Sequence, residues 1–119
     1  MGMNGGPTER DVQAACLAWL ALWGAVPVRV NSSATVVGEG AARRYLRSNN
    51  APGCSDALCC APDGRFLAVE FKRPGGRPTV KQEAFLARVR RSNGLALVVT
   101  SVADLHAQLT AAGYDLAGL

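Results

Sequence analysis

Residues 65–100 hold a strand, a helix and a second strand in that order, and this constrains the fold more than any other feature of the chain. Arg65–Lys72 alternates as a strand does: Phe66, Ala68, Glu70 and Lys72 leave one face, and Arg65, Leu67, Val69 and Phe71 the other. The next six residues, RPGGRP, cannot continue it, because proline lacks a donor and glycine packs nothing. Thr79 is a helix N-cap. The helix runs to Ser92 with Val80, Phe85, Leu86 and Val89 inward, and Gly94 closes it. Leu95–Thr100 (LALVVT) is an unbroken apolar run, the pattern of a strand buried on both faces. A helix between two strands implies a parallel crossover, so the chain is predicted to be α/β, a mixed sheet flanked by helices.

The flanking segments fit this unit. Thr8 reads as an N-cap with Asp11 as its capping-box acid, and Glu9 to Trp23 has helical period. Val12, Cys16, Trp19, Leu20 and Trp23 share one face, and Gly24 ends the helix. Glu9 falls on that same apolar face, an unusual place for an acid. Val26–Asn31 reads as a strand that Pro27 delays or places at an edge. Thr35–Val37 and Arg43–Leu46 flank Gly38-Glu39-Gly40 as a loose hairpin. Asp56–Cys60 is a short strand, turned back by Pro62-Asp63-Gly64. Ser101 caps a last helix through Ala112. The expected order is α-β-β-β-β-α-β-α, with residues 1–7 a flexible leader and 8–119 one domain.

Composition narrows the function. The 119 residues have room for one domain with a real core, and 49% apolar against 18% charged residues excludes a disordered polyelectrolyte. No apolar run approaches a membrane span, and Met1 to Arg10 lacks signal-peptide character, so a cytoplasmic location is expected. Net charge is +4, from eleven arginines and only two lysines, Lys72 and Lys81. A basic chain suits nucleic acid, and arginine in place of lysine is also what a GC-rich genome writes. Four cysteines without a C-x-x-C pair, and one histidine, His106, do not supply a zinc set. Cys16, Cys54, Cys59 and Cys60 read as small buried hydrophobes. Near the end, Tyr114, Leu116 and Leu119 are apolar side chains expected to be exposed and compatible with self-association.

The chemistry-bearing residues lie at the end of the Arg65–Lys72 strand. Glu70 and Lys72, two apart, leave one face about 6.5–7 Å from each other. Asp56 lies as far before the Pro62-Asp63-Gly64 turn as Glu70 lies after it, so the hairpin sets the two acids side by side. Paired carboxylates bind a hard divalent cation through oxygen, and an ammonium beside them orients water or offsets developing charge. Phosphodiester hydrolysis needs these parts. Glu-x-Lys is also the pattern of a structural ion pair. Gln82, three after Thr79, is also a capping-box partner, and Glu9 also a first-turn acid favoured by the helix dipole.

The series P-G-x-S-D (Pro52–Asp56), V-E-F-K (Val69–Lys72), a basic Gly/Pro loop and T-x-x-Q (Thr79–Gln82) resembles the VRR-NUC domain, a branch of the PD-(D/E)xK, restriction-endonuclease-like nucleases. The likeness covers nearly the whole chain and implies a restriction-endonuclease-like fold. It implies that Asp56 and Glu70 bind Mg²⁺ or Mn²⁺ with the Phe71 carbonyl, and that Lys72 positions the attacking water. Glu9 would be the first-helix acid, acting near the metal or through water, and Gln82 would orient site groups or DNA. Small members of this kind resemble phage or bacterial nucleases that cut Holliday junctions or other branched DNA as homodimers. Arg73, Arg77 and Lys81 are the nearest phosphate-binding candidates, with Arg43 and Arg44 on the hairpin. The competing expectation is a non-catalytic nucleic-acid-binding module on the same fold.

Overall fold

The computed structural model describes residues 5–30, 34–47 and 50–119. Helix α1 (Glu9–Trp23) starts at Thr8, whose hydroxyl accepts from the Asp11 N–H at 3.1 Å while the Asp11 carboxylate accepts from the Thr8 N–H at 2.9 Å. Gly24 ends it in the left-handed region, at φ 103°. Strands β1 (Val26–Arg29), β4 (Ala57–Cys60), β5 (Phe66–Phe71) and β6 (Leu95–Val99) form one sheet in the order β1-β4-β5-β6. The first two pairings are antiparallel. The third is parallel, because α2 (Val80–Arg91) carries the chain from β5 to β6. Strands β2 (Ala34–Val37) and β3 (Arg44–Arg47) pair with each other as a separate antiparallel ribbon. Helix α3 (Val102–Ala111) follows β6 and is capped by Ser101.

The element order, the parallel crossover and the edge position of β1 agree with the sequence reading. Asn31, which that reading ended the first strand on, lies outside the described residues. The alternation of β5 feeds two cores. Leu67, Val69 and Phe71 meet α1 and α3 through Val12, Cys16, Leu20, Leu105 and Leu109. Ala68, on the opposite face, meets α2 through Leu86 and Val89. Leu20 is completely buried, and truncating it to Ala would cost about 2–5 kcal/mol.

Several expectations are corrected. Val80 is 86% exposed rather than inward. At 100° per residue it lies on the side of α2 opposite the face that Gln82, Phe85, Leu86 and Val89 turn to the sheet. The left-handed residue after α2 is Asn93 (φ 68°), not Gly94. Gly94 is needed for space, since a Cβ there would lie 2.7 Å from Val89 Cγ1. Leu116 is buried in the main core and Tyr114 packs edge-on against Trp23, so only Leu119 of the three terminal apolar residues is largely exposed. Cys60 is exposed, because β4 turns it away from the helices that bury Cys59. Arg90, exposed on α2, donates to the Ala96 carbonyl at 2.8 Å and ties that helix to β6.

Candidate active site

Four segments converge where β4 begins and β5 ends. The register pairs Ala57 with Val69, which continues to Asp56 opposite Glu70, as the turn symmetry requires. Backbone bonds hold Asp56 on both sides: the Val30 N–H donates to its carbonyl at 2.8 Å, and the Phe71 N–H to its Oδ2 at 2.9 Å. Ser55 beside it is fully buried and donates to the Ala57 carbonyl at 3.0 Å. The preceding loop is locked by Gly53, at φ 74°, which lies so close to α2 that a Cβ would come 2.2 Å from the Lys81 carbonyl oxygen. The proline–glycine motif before Asp56 therefore seats this loop on the first turn of α2. The sequence reading missed that contact, although the Pro-Gly pair was its visible signal.

Glu70 is completely buried. Gln82 Nε2 donates to its Oε2 at 2.8 Å, and Lys72 Nζ lies 3.6 Å from the same oxygen. Gln82 serves two structures at once, since its Oε1 also accepts the Thr79 N–H at 2.8 Å and completes the capping box. The other Glu70 oxygen, Oε1, is buried and finds no hydrogen-bond partner among the described residues. Burial, and then the negative charge of Asp56, raise the Glu70 carboxyl to about 8, with Lys72 opposing. Leaving a buried carboxylate oxygen unpaired costs on the order of 1–3 kcal/mol, so a group that satisfied it would be held strongly.

Glu9 completes the cluster from the first turn of α1. One carboxylate oxygen from each of Glu9, Asp56 and Glu70 lies within 4.8 Å of the others. The donor set is all oxygen and carries excess negative charge, which fits a hard divalent cation better than a soft one. The unpartnered Oε1 points to the same conclusion. A cleft of about 1020 Å³ opens beside Glu9, between residues 5–9 and Arg73–Gly75.

The structure thus brings Glu9, Asp56, Glu70, Lys72 and Gln82 together. Arg73 lines the cleft. Arg77 and Lys81 are exposed, on the loop after β5 and on the first turn of α2. Arg43 and Arg44 are exposed, just before and at the start of β3.

An acidic cluster that runs from exposed Glu9 through half-buried Asp56 to buried Glu70, with a lysine beside it at the end of a mixed sheet flanked by helices, is an arrangement that can serve phosphodiester hydrolysis. The chain belongs to the VRR-NUC domain family, whose model matches residues 8–103, a stretch that includes all five clustered side chains. It is a nuclease-type domain, and DNA is the substrate class that family membership implies. No curated protein and no solved structure matches the chain. Among the described residues, no helix is long and apolar enough to cross a membrane.

Proposed function

We propose that the protein is a divalent-metal-dependent endodeoxyribonuclease that cuts branched DNA, such as Holliday junctions, as a homodimer. The observation that carries the reading is the buried Glu70, with one oxygen unpartnered and two further carboxylates gathered round it. Asp56 and Glu70 would hold Mg²⁺ or Mn²⁺, joined by the Phe71 carbonyl and, through water, by Glu9. A cation held there would stabilise negative charge developing at phosphorus and ease deprotonation of the attacking water.

The chain's own residues do the rest. Gln82 fixes one Glu70 oxygen and leaves the other free, so the carboxylate presents a set face. The Phe71 N–H does the same for Asp56. Lys72, largely buried beside Glu70, holds a positive charge where it can orient the attacking water and offset charge on the phosphate. Arg73, which lines the cleft, and the exposed Arg77 and Lys81 on the loop after β5 and the first turn of α2 would hold the neighbouring phosphates. Two cuts on a branched substrate need two such sites. Val26, Val28, Leu58, Cys60 and Phe66 share the sheet face that carries Glu70, and Val26, Val28, Cys60 and Phe66 among them are exposed, an apolar area suited to a second copy. Pro27 blunts the edge strand itself, so pairing by face is favoured over strand addition.

The test is cleavage of synthetic four-way junctions, flaps and duplex with Mg²⁺ or Mn²⁺, comparing wild type with Lys72→Ala. Cleavage of a branched substrate should fall by about 10²–10⁴-fold in the variant while DNA binding persists. A panel left uncut by the wild type with either metal would overturn the enzyme reading and favour a binding module.

A further inference from the structure

We infer that the β2–β3 ribbon is a nucleic-acid grip that enters the major groove of the duplex beside the scissile phosphate. The inference rests on the nuclease reading for the position of that phosphate. Among the described residues the ribbon pairs with no strand of the main sheet, although β1 and β4, which precede and follow it in the chain, are neighbours there. A two-stranded ribbon with no sheet to lean on is marginal in water, so it gains from a surface to lie against.

Its roots place it at the site. β1 ends at Arg29, opposite Ala57, and the next residue, Val30, donates to the Asp56 carbonyl at 2.8 Å. The chain returns through the loop that Gly53 locks onto α2, three residues before Asp56. Both roots therefore flank Asp56, and the ribbon leaves the sheet at the end where the acids gather.

Its charge and shape suit a polyanion. From Ala34 to Arg47 there are three arginines, Arg43, Arg44 and Arg47, against one acid, Glu39, a net +2 of the chain's +4. The tip, Gly38-Glu39-Gly40-Ala41-Ala42, is nearly free of bulky side chains, and its residues are exposed. Gly38 permits the tight bend: at φ 81° a Cβ would lie 2.4 Å from the Ala42 carbonyl oxygen. Arg43 and Arg44 follow at once and are exposed. A major groove about 12 Å wide admits a two-stranded ribbon, and a slim tip with arginines behind it reaches both base edges and flanking phosphates.

The test is binding of a fluorescent 20-base-pair duplex (length chosen as about two helical turns) without divalent metal, across a salt series. Arg43→Ala/Arg44→Ala should weaken binding by roughly 10–100-fold and reduce the slope of log K against log salt by about 2. Arg88→Ala/Arg91→Ala, at the far end of α2, should leave the slope nearly unchanged. In dimethyl sulfate probing, the wild type should protect guanine N7 atoms and the ribbon variant should not. An unchanged slope, an equal loss in both double variants, or N7 protection that survives in the ribbon variant would overturn the inference. Binding is read without cleavage, which separates this inference from the one it rests on. A protein that cuts nothing yet shows the ribbon-dependent slope keeps the grip and loses the nuclease reading, and cutting with a ribbon-independent slope does the reverse.

Discussion

Replacing Glu70 by Gln in the metal-free protein should flatten the pH dependence of its stability. Burial, with the Asp56 charge second, raises this carboxyl to about 8 from its ordinary value of 4.5, which an unfolded chain restores. A carboxyl raised in the native state contributes stability that is fully present below the unfolded pKa and is lost as pH climbs through the folded one. At about 1.36 kcal/mol per pH unit, the loss between pH 5 and 8 comes to roughly 3 kcal/mol. For a chain of this length, each kcal/mol moves Tm by about 4 °C. Melting in EDTA, followed by circular dichroism, should therefore show the wild type losing about 12 °C from pH 5 to 8 relative to Glu70→Gln. Titrating groups away from the cluster are common to both proteins and cancel in that difference. Gln keeps the shape and can still accept from Gln82, so the comparison isolates the charge. Mn²⁺ at about 100 times its Kd should return about 2.7 kcal/mol to the wild type at pH 8 and little to the variant. Parallel pH curves for the two proteins would refute the reasoning, because they would mean that the cluster imposes no charge penalty on Glu70.

Substitutions at two positions test the supports of the site, and a thiol titration tests the packing of the core. Gln82→Ala removes a Glu70 partner and half of a capping box, and should cost about 1–2 kcal/mol; Gln82→Glu sets a third carboxylate against Glu70 and should melt lower than Gln82→Ala at pH 8, the reverse order counting against the geometry. Gly53→Ala forces a strained φ and a collision with the Lys81 carbonyl, so a loss above about 2 kcal/mol is expected in denaturant melts, and a change within about 0.5 kcal/mol would show that the loop gives way. Native thiol titration should find one fast cysteine, Cys60, because Cys16, Cys54 and Cys59 are buried and burial pushes Cys16 and Cys59 up to about 11; a second fast thiol would contradict that packing.

Much of the candidate site is legible in the sequence, and the reasons are local. Helix ends follow from short-range hydrogen bonds, so Thr8, Thr79 and Ser101 announce their helices. Hairpin register follows from distance to the turn, so Asp56 opposite Glu70 could be counted along the chain. The two misplaced residues differ in kind. For Val80 the helical period, itself local, already sets the side chain opposite Phe85, Leu86 and Val89, and its apolar character points the wrong way; for Leu116 the deciding contact is not local, because nothing near it in the chain reveals the core it enters.

The chain's pattern by itself determined the elements, their order, the parallel crossover and the pairing of two acids with a lysine at one strand end. Only the tertiary structure decided that Glu70 is wholly buried, that one of its oxygens lacks a partner and that Gln82 secures the other. It also brought Glu9 across from the first helix and set the ribbon apart from the main sheet. Periodicity and turn symmetry act over a few residues, whereas burial and charge clustering depend on which faces stack, and that is settled only when the whole chain closes on its core.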